Sequence, residues 1–236
     1  MNLFSMIKED FFNVKRNDPA LHSTFELFFN YPGLWAMFFY RVSNALYKKG
    51  LRFIPRFISA IGQFLTTVDI HPAATIGHRV FIDHAVGVVI GEVIGETALI
   101  GDDVLIYQQV TLGGVSTSRG KRHPTVENNV VIGAGAKVLG NITLGEYSKV
   151  GANSVVVKDL PARATAVGIP ARIIKCENEN CNLRHDQLPD VNKEIFHYLI
   201  KRIAVLEETV KTGNINLMEK EDHELTEIYA TFIKSM

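Results

Sequence analysis

The 236-residue chain carries 25 Lys and Arg against 25 Asp and Glu, and 47% of it is apolar; this excludes disorder and leaves no charge excess to draw it to nucleic acid or an anionic membrane. Its N-terminus, MNLFSMIKEDFFNVKRND, mixes charges with aromatics where a secretion signal would put basic residues before an apolar run. The longest apolar stretch, residues 25–40, is interrupted by Glu26, Asn30 and Pro32 and is too short to span a bilayer, so a cytoplasmic chain with neither nucleic-acid nor membrane partner is expected.

Residues 1–66 read as an N-terminal helical domain. Apolar residues recur three and four apart in Leu21-Phe25-Phe28-Phe29 and in Leu34-Met37-Phe38-Arg41-Val42-Ala45-Leu46. Pro32-Gly33 separates the two runs and Gly50 follows the second. The abundance of phenylalanine predicts a face buried against other helices or a neighbouring subunit.

Residues 67–175 follow a period of six. Aliphatics fall at Ile70, Ile76, Ile82, Val88, Ile94, Ile100, Ile106 and Leu112, then at Ile132, Val138, Leu144, Val150 and Val156. Glycine often comes next, as at Gly77, Gly95, Gly101 and Gly133, and small residues sit four places on, as at Ala74, Ala98, Ala136 and Ser154. Six fits neither an α-helix of about 3.6 residues per turn nor a hairpin array. Each unit is one short strand and one tight corner, and stacked units share a continuous core. The expected fold is an all-β left-handed parallel β-helix of hexapeptide repeats, three units per turn in a triangular prism, with the N-terminal α-helical domain before it and a C-terminal helical tail after it. Between Leu112 and Ile132 the phase slips, so residues 113–129, containing GVSTSRGKRHPTVENN, form a protruding loop of the kind on which function collects.

Residues 176–236 return to helix. Phe196, Leu199, Ile203, Leu206 and Val210 alternate three and four apart as a short heptad seam. Packing on its own chain and a small self-associating bundle at one end of an oligomer both fit it. Cys176 and Cys181 read as two ordinary thiols, one disulfide, or half of a metal site with no second half in view.

A prism with flat faces has few pockets of its own, so the expected active site lies in a groove between neighbouring prisms. The polar residues that break the repeat are the candidates: Asp69, His71, His78, Asp83, His84, Arg122 and His123. Asp69 and His84 are fifteen residues apart, roughly one coil, and can approach each other. A carboxylate accepting the Nδ1 proton of an imidazole fixes its tautomer and raises the basicity of Nε2, which suits a base toward a hydroxyl attacking a carbonyl. A solvated pair at a corner is the alternative. His71 and His78 read as structural.

The run DIHPAATIG, FIDHAVGVVIGE, QQVTLGG, GKRHPTV, VIGAGAKVLG and VGIPARII resembles the serine O-acetyltransferases, which make O-acetylserine from serine and acetyl-CoA as the first step of cysteine biosynthesis. The likeness covers roughly residues 12–210, with RNDPA at 16–20 and LRHDQLPD at 183–190 included. It implies that His84 is the general base, that Asp69 supports it, and that Asp83 and Asp18 hold the substrate amine. Two carboxylates around one ammonium lower the net charge of the cluster. It further implies that Arg122 and His123 grip the serine carboxylate, for which a guanidinium fork is suited, and that Gly114, Ala134 and Ala152 border the pantetheine channel. Asp18 capping the helix after Pro19, and Arg122 and His123 merely solvating the loop, are the alternatives. Acetyl-CoA is the expected cosubstrate and no metal is expected.

Three departures stand out. The family usually reads GVVIGETA, an aliphatic and IGDD, whereas GVVIGEVIGETALIGDD here has four extra residues near 92–95. Extrusion of that Val-Ile-Gly-Glu keeps the site, while a new face would rotate His123 away from His84; extrusion is expected because KRHP and Gly113-Gly114 are intact. The helical domain is also shorter than in the members where it pairs two trimers, which predicts a lone homotrimer. The ending Ile233-Lys234-Ser235-Met236 lacks the terminal isoleucine that docks into O-acetylserine sulfhydrylase in many members, and speaks against that partnership. The rivals are a hexapeptide O-acetyltransferase acting on a sugar or antibiotic hydroxyl, a zinc-dependent β-helical carbonic anhydrase built on three of the histidines, and a non-catalytic scaffold trimer.

Overall fold

The short strands begin where the aliphatic period begins, and they stack in three sheets. The computed structural model describes residues 3–18, 21–91, 97–116, 120–174 and 191–212. Two compact units divide the chain, Met1–His185 and Asp186–Met236. In the first, helices α1 (Leu3–Asn17), α2 (Glu26–Phe29), α3 (Pro32–Lys48) and α4 (Phe53–Thr66) precede the coil. The first face holds β1 (Asp69–Ile70), β4 (Val89–Ile90), β7 (Thr111–Gly113), β10 (Lys137–Leu139) and β13 (Val155–Val156). The second holds β2 (Thr75–Ile76), β5 (Leu99–Ile100), β8 (Thr125–Val126) and β11 (Thr143–Leu144). The third holds β3 (Phe81–Ile82), β6 (Leu105–Ile106), β9 (Val131–Ile132), β12 (Lys149–Val150), β14 (Thr165–Val167) and β15 (Arg172–Ile174). Every pairing is parallel except β14 with β15, as a left-handed β-helix requires. The second unit contains α5 (Val191–Thr212).

Two inward series fill the prism. One is the strand aliphatic, for example Ile70, Ile90, Leu112, Val138 and Val156 on the first face. The other lies two residues earlier and closes the corner: Val68, Ala74, Val80, Val88, Ala98, Val104, Val110, Val130 and Ala136 are all buried. This corrects the periodic assignment. Val88 belongs to the corner series, and Ile90 is the inward strand residue, paired with Ile70 and Leu112. From Ile82 to Ile90 the chain advances eight residues, two more than one repeat, and from Ile90 to Ile100 it advances ten, four more. Together these excesses make one full repeat, which is why the apparent period runs unbroken. Ile94, Gly95 and the extra Val-Ile-Gly-Glu lie outside the described residues, but β4 and β5 stand on consecutive faces, so the insertion adds no face.

Corners between the second and third faces place Arg79, Asp103, Asn129, Tyr147 and Arg163 at positive φ, one per coil. Arg79 bridges Asp103 at 2.6 Å, and the Arg163 guanidinium lies 4.9 Å over the Tyr147 ring. The helices cover this edge at the first coil. Glu9 of α1 pairs with His78 Nδ1 at 2.9 Å and with Arg79 at 3.0 Å, and Asn13 donates to the Arg79 carbonyl. Arg41 of α3, fully inside, donates to Asp10 at 3.0 Å and to the carbonyls of Ile76 and Gly77. Burial raises the Asp10 carboxyl even against the attraction of Arg41; desolvation wins, so the pair adds little net stability, yet losing one partner costs about 3–5 kcal/mol because a buried charge is stranded. Gly33 sits where any Cβ would overlap the Ile82 carbonyl oxygen. Val14, Leu27 and Leu34 pack on Phe81 of the coil, whereas Phe12, Phe25, Phe29, Phe53, Phe57 and Phe64 of the helical region are exposed, so within the chain most of its phenylalanines do not build the buried face that their abundance predicted.

Candidate active site

Three edges separate the faces, and the candidate residues fall on two of them. The edge between the third and first faces carries a column in which each residue follows an inward aliphatic: Asp83, Tyr107, Gly133 and Gly151. Asp83 N–H donates to Ile106 O at 2.8 Å, Tyr107 N–H to Ile132 O at 3.1 Å, and Gly133 N–H to Val150 O at 2.8 Å. Ala134 and Ala152 come next in their corners, with Asn153 N–H bound to Ala134 O.

The first corner of this edge is two residues longer than the one below it, and it holds His84 and Ala85 at φ 55° and 49°. Two successive left-handed non-glycine residues cost about 1–2 kcal/mol each. The outcome of that strain is a His84 side chain 73% exposed, with Nε2 4.0 Å from Asp83 Oδ2. Asp69 opens β1 at the same edge. Its N–H donates to Val88 O at 2.9 Å, and Gly87 N–H donates to Thr67 O at 3.1 Å, lacing the start of the coil to the corner that carries His84.

Asp18 closes α1, its N–H still bonded to Val14 O, so it does not begin the next helix. Tyr31, the residue before α3, donates its hydroxyl to Asp18 Oδ2 at 2.6 Å. Partial burial, then that bond and the charges of Asp18, Glu26 and Asp83, push the Tyr31 phenol up to about 12. Burial and the charge of Asp83 also raise Tyr107. Asp18, Tyr31, Asp83 and Tyr107 therefore form one acidic, phenol-lined group beside His84. Tyr107 escaped the sequence because an aromatic among aliphatics reads as core.

Arg122 and His123 lie on the other edge, between the first and second faces, with Gly114. His123 is 1% exposed and its Nδ1 is 3.0 Å from Thr97 Oγ1. Arg122 N–H donates to the same oxygen at 3.2 Å, and its guanidinium to Ser116 O at 2.8 Å. A Cβ on Gly114 would come within 3.1 Å of His123 Nε2, so the glycine seats that imidazole. Lys121 donates to Thr97 O, and burial lowers its ammonium. Thr97, the organiser of this cluster, gave no sequence signal. Within one chain the first face separates the two groups: Asp69, Asp83 and His84 stand at one of its edges and Arg122 and His123 at the other, so leaving the face count unchanged does not by itself bring His123 to His84.

His71 is buried, accepts the Ala73 N–H at Nδ1 and meets Tyr47 edge-on. It lies on the first-to-second edge and His78 on the second-to-third, so the four histidines weighed for zinc are distributed over three edges. Among the described residues no three His, Cys, Asp or Glu side chains could hold a metal ion, and no helix is long and apolar enough to cross a membrane. Cys176, Cys181, LRHDQLPD and the C-terminal Ile233-Lys234-Ser235-Met236 lie outside the described residues.

The bacterial transferase hexapeptide (six repeats) family matches residues 123–158. A serine acetyltransferase of Bacillus subtilis is 44% identical over 219 residues, 92% of this chain and 99% of that protein. The chain belongs to the serine acetyltransferase family. The family's structures share its coil: Neisseria gonorrhoeae serine acetyltransferase in complex with serine superimposes with a TM-score of 0.68 at 36% identity, covering 73% of this chain and 69% of that one. A serine acetyltransferase in complex with CoA gives 0.67 at 42% identity, covering 73% and 70%.

Proposed function

We propose that this chain is a serine O-acetyltransferase, moving the acetyl group of acetyl-CoA to the L-serine hydroxyl and releasing CoA and O-acetyl-L-serine. The observation that carries this reading is the pair of carboxylates, Asp18 and Asp83, gathered around Tyr31 next to the exposed imidazole of His84. An α-ammonium group suits the first two, and a hydroxyl held beside it suits the third. Asp69 is the positioning residue for His84, supported by its place at the same edge.

The reaction follows from that arrangement. His84 takes the hydroxyl proton as the serine oxygen bonds to the thioester carbon, and the negative charge moves to the carbonyl oxygen. Collapse breaks the carbon–sulfur bond, and the proton on His84 passes to the departing CoA sulfur. Backbone N–H groups beside the carbonyl lower the barrier. Arg122 supplies the fork for the serine carboxylate, with His123 beside it. Since these two occupy a different edge from His84, the complete site needs His84 of one copy against Arg122 and His123 of the next, and a homotrimer is the assembly proposed. Gly114 on one edge and Ala134 and Ala152 on the other then flank the pantetheine arm, small enough for it to approach the backbone.

The test is an assay of thiol release from acetyl-CoA by the purified chain over L-serine, D-serine, glucosamine, galactoside and aminoglycoside acceptors, with O-acetylserine identified as product. Activity with a sugar and none with L-serine overturns the assignment.

A further inference from the structure

The second unit of the chain presents an apolar stripe to solvent. In α5 the side chains of Phe196, Leu199, Ile203, Leu206 and Val210 are exposed, and they recur three and four apart along 22 residues. Phe196, Ile203 and Val210 take the first position of a heptad and Leu199 and Leu206 the fourth. A helix that exposes five large apolar side chains in a single line calls for a cover.

The charges beside the stripe select the cover. Arg202 precedes the first heptad position at Ile203, and Glu207 follows the fourth at Leu206. When two such helices run parallel and in register, a residue at the first of these flanks meets the residue five places on in its neighbour, so Arg202 faces Glu207 across every interface. An antiparallel pair centred on the same stripe sets Arg202 against Arg202, a like-charge contact that costs stability. We propose that α5 associates with the same helix of other copies of this chain, parallel and in register, as a short coiled coil that joins the C-terminal units. The inference does not rest on the acetyltransferase assignment: it concerns a separate unit and a separate surface.

Full-length protein is the material for the test. In analytical ultracentrifugation over a dilution series, Leu199→Asp shifts dissociation of the assembly to a concentration at least about tenfold higher, since a carboxylate is then forced into an apolar seam. Arg202→Glu and Glu207→Arg each shift it about threefold or more in the same direction, and the double exchange Arg202→Glu with Glu207→Arg restores it. The double exchange is the decisive arm, because it leaves composition and net charge unchanged. A second readout guards against general unfolding: with both native cysteines replaced by Ser, Leu206→Cys forms chain-to-chain disulfides on mild oxidation, whereas Glu208→Cys on the opposite face does not. Single and double exchanges that all behave like the parent, or equal cross-linking at 206 and 208, overturn the proposal and leave α5 to pack on its own chain. Acetyl transfer measured on the same samples keeps failure here distinct from failure of the proposed activity.

Discussion

Tyr31 donates its hydroxyl to Asp18 Oδ2 across 2.6 Å, tying the residue after α1 to the residue before α3 within reach of the Asp83 charge. The bond holds a carboxylate on the ammonium side of the proposed serine site without occupying the site itself. Tyr31→Phe is expected to raise KM for serine about three- to tenfold, as loss of one charge-assisted hydrogen bond allows, with kcat and KM for acetyl-CoA nearly unchanged. Steady-state kinetics with each substrate varied in turn checks this. An equal fall in kcat would assign Tyr31 to the chemistry instead.

His84→Ala removes the proposed base from an exposed corner, so it is expected to lower kcat by about 10²–10⁴ and leave assembly intact. Arg122→Ala is expected to raise KM for serine. The division of these residues between two edges gives a sharper outcome. Co-expressing the two variants in equal amounts yields mixed assemblies in which about a quarter of the sites combine an intact His84 with an intact Arg122, and about a quarter of parental activity returns. No recovery would mean that both groups serve one site from a single chain.

Gly33→Ala places a methyl group against the Ile82 carbonyl, which is backbone and cannot turn aside. The first turn of α3 must then lift from β3. The expected cost is about 1–3 kcal/mol or more, or roughly 2–12 °C in Tm for a chain of this size. Because Ile82 directly precedes Asp83, KM for serine is expected to rise alongside. Thermal unfolding and serine kinetics on the same preparation check both.

Glu9 ties α1 to the coil, and its carboxyl is held below the ordinary 4.5, first by the hydrogen bond to His78 and then by Arg79. A folded-state value depressed in this way contributes stability that is complete above 4.5 and fades as pH falls through the lower folded value. Asp103, lowered from 3.8 by Arg79, follows the same sign. Both pairs are partly exposed, so the effect is modest. The Tm difference between the parent and Glu9→Gln is expected to shrink as pH falls below 4.5. A difference that grows on acidification below 4.5 would contradict the assignment.

The triangular coil was legible because its core needs only one kind of residue at one spacing. Ile70, Ile76, Ile82, Ile100 and Ile106 stand where the period puts them. Val88 misled because a second buried series, two residues ahead of the first, is also aliphatic, and because edge excesses of two and four residues add up to one repeat. The polar breaks at Asp69, Asp83, His84, Arg122 and His123 were visible against that background. Their distribution over two edges was not, since it depends on counting faces through the miscounted stretch. Thr97 and Tyr31 were invisible for a different reason: each is defined by a partner far along the chain, His123 and Asp18 respectively, and spacing carries no trace of such pairs.

One arris of the prism is sheathed by its own helices, through Glu9 on His78 and Arg79 and through Arg41 on the carbonyls of Ile76 and Gly77. The first-to-second edge is covered at the same level, by Asn44 on the carbonyls of Pro72 and Ala74 and by Tyr40 on that of Ala74. The helical sheath thus does more than steady the first coil; it occupies carbonyls that an end coil would otherwise offer to a passing strand.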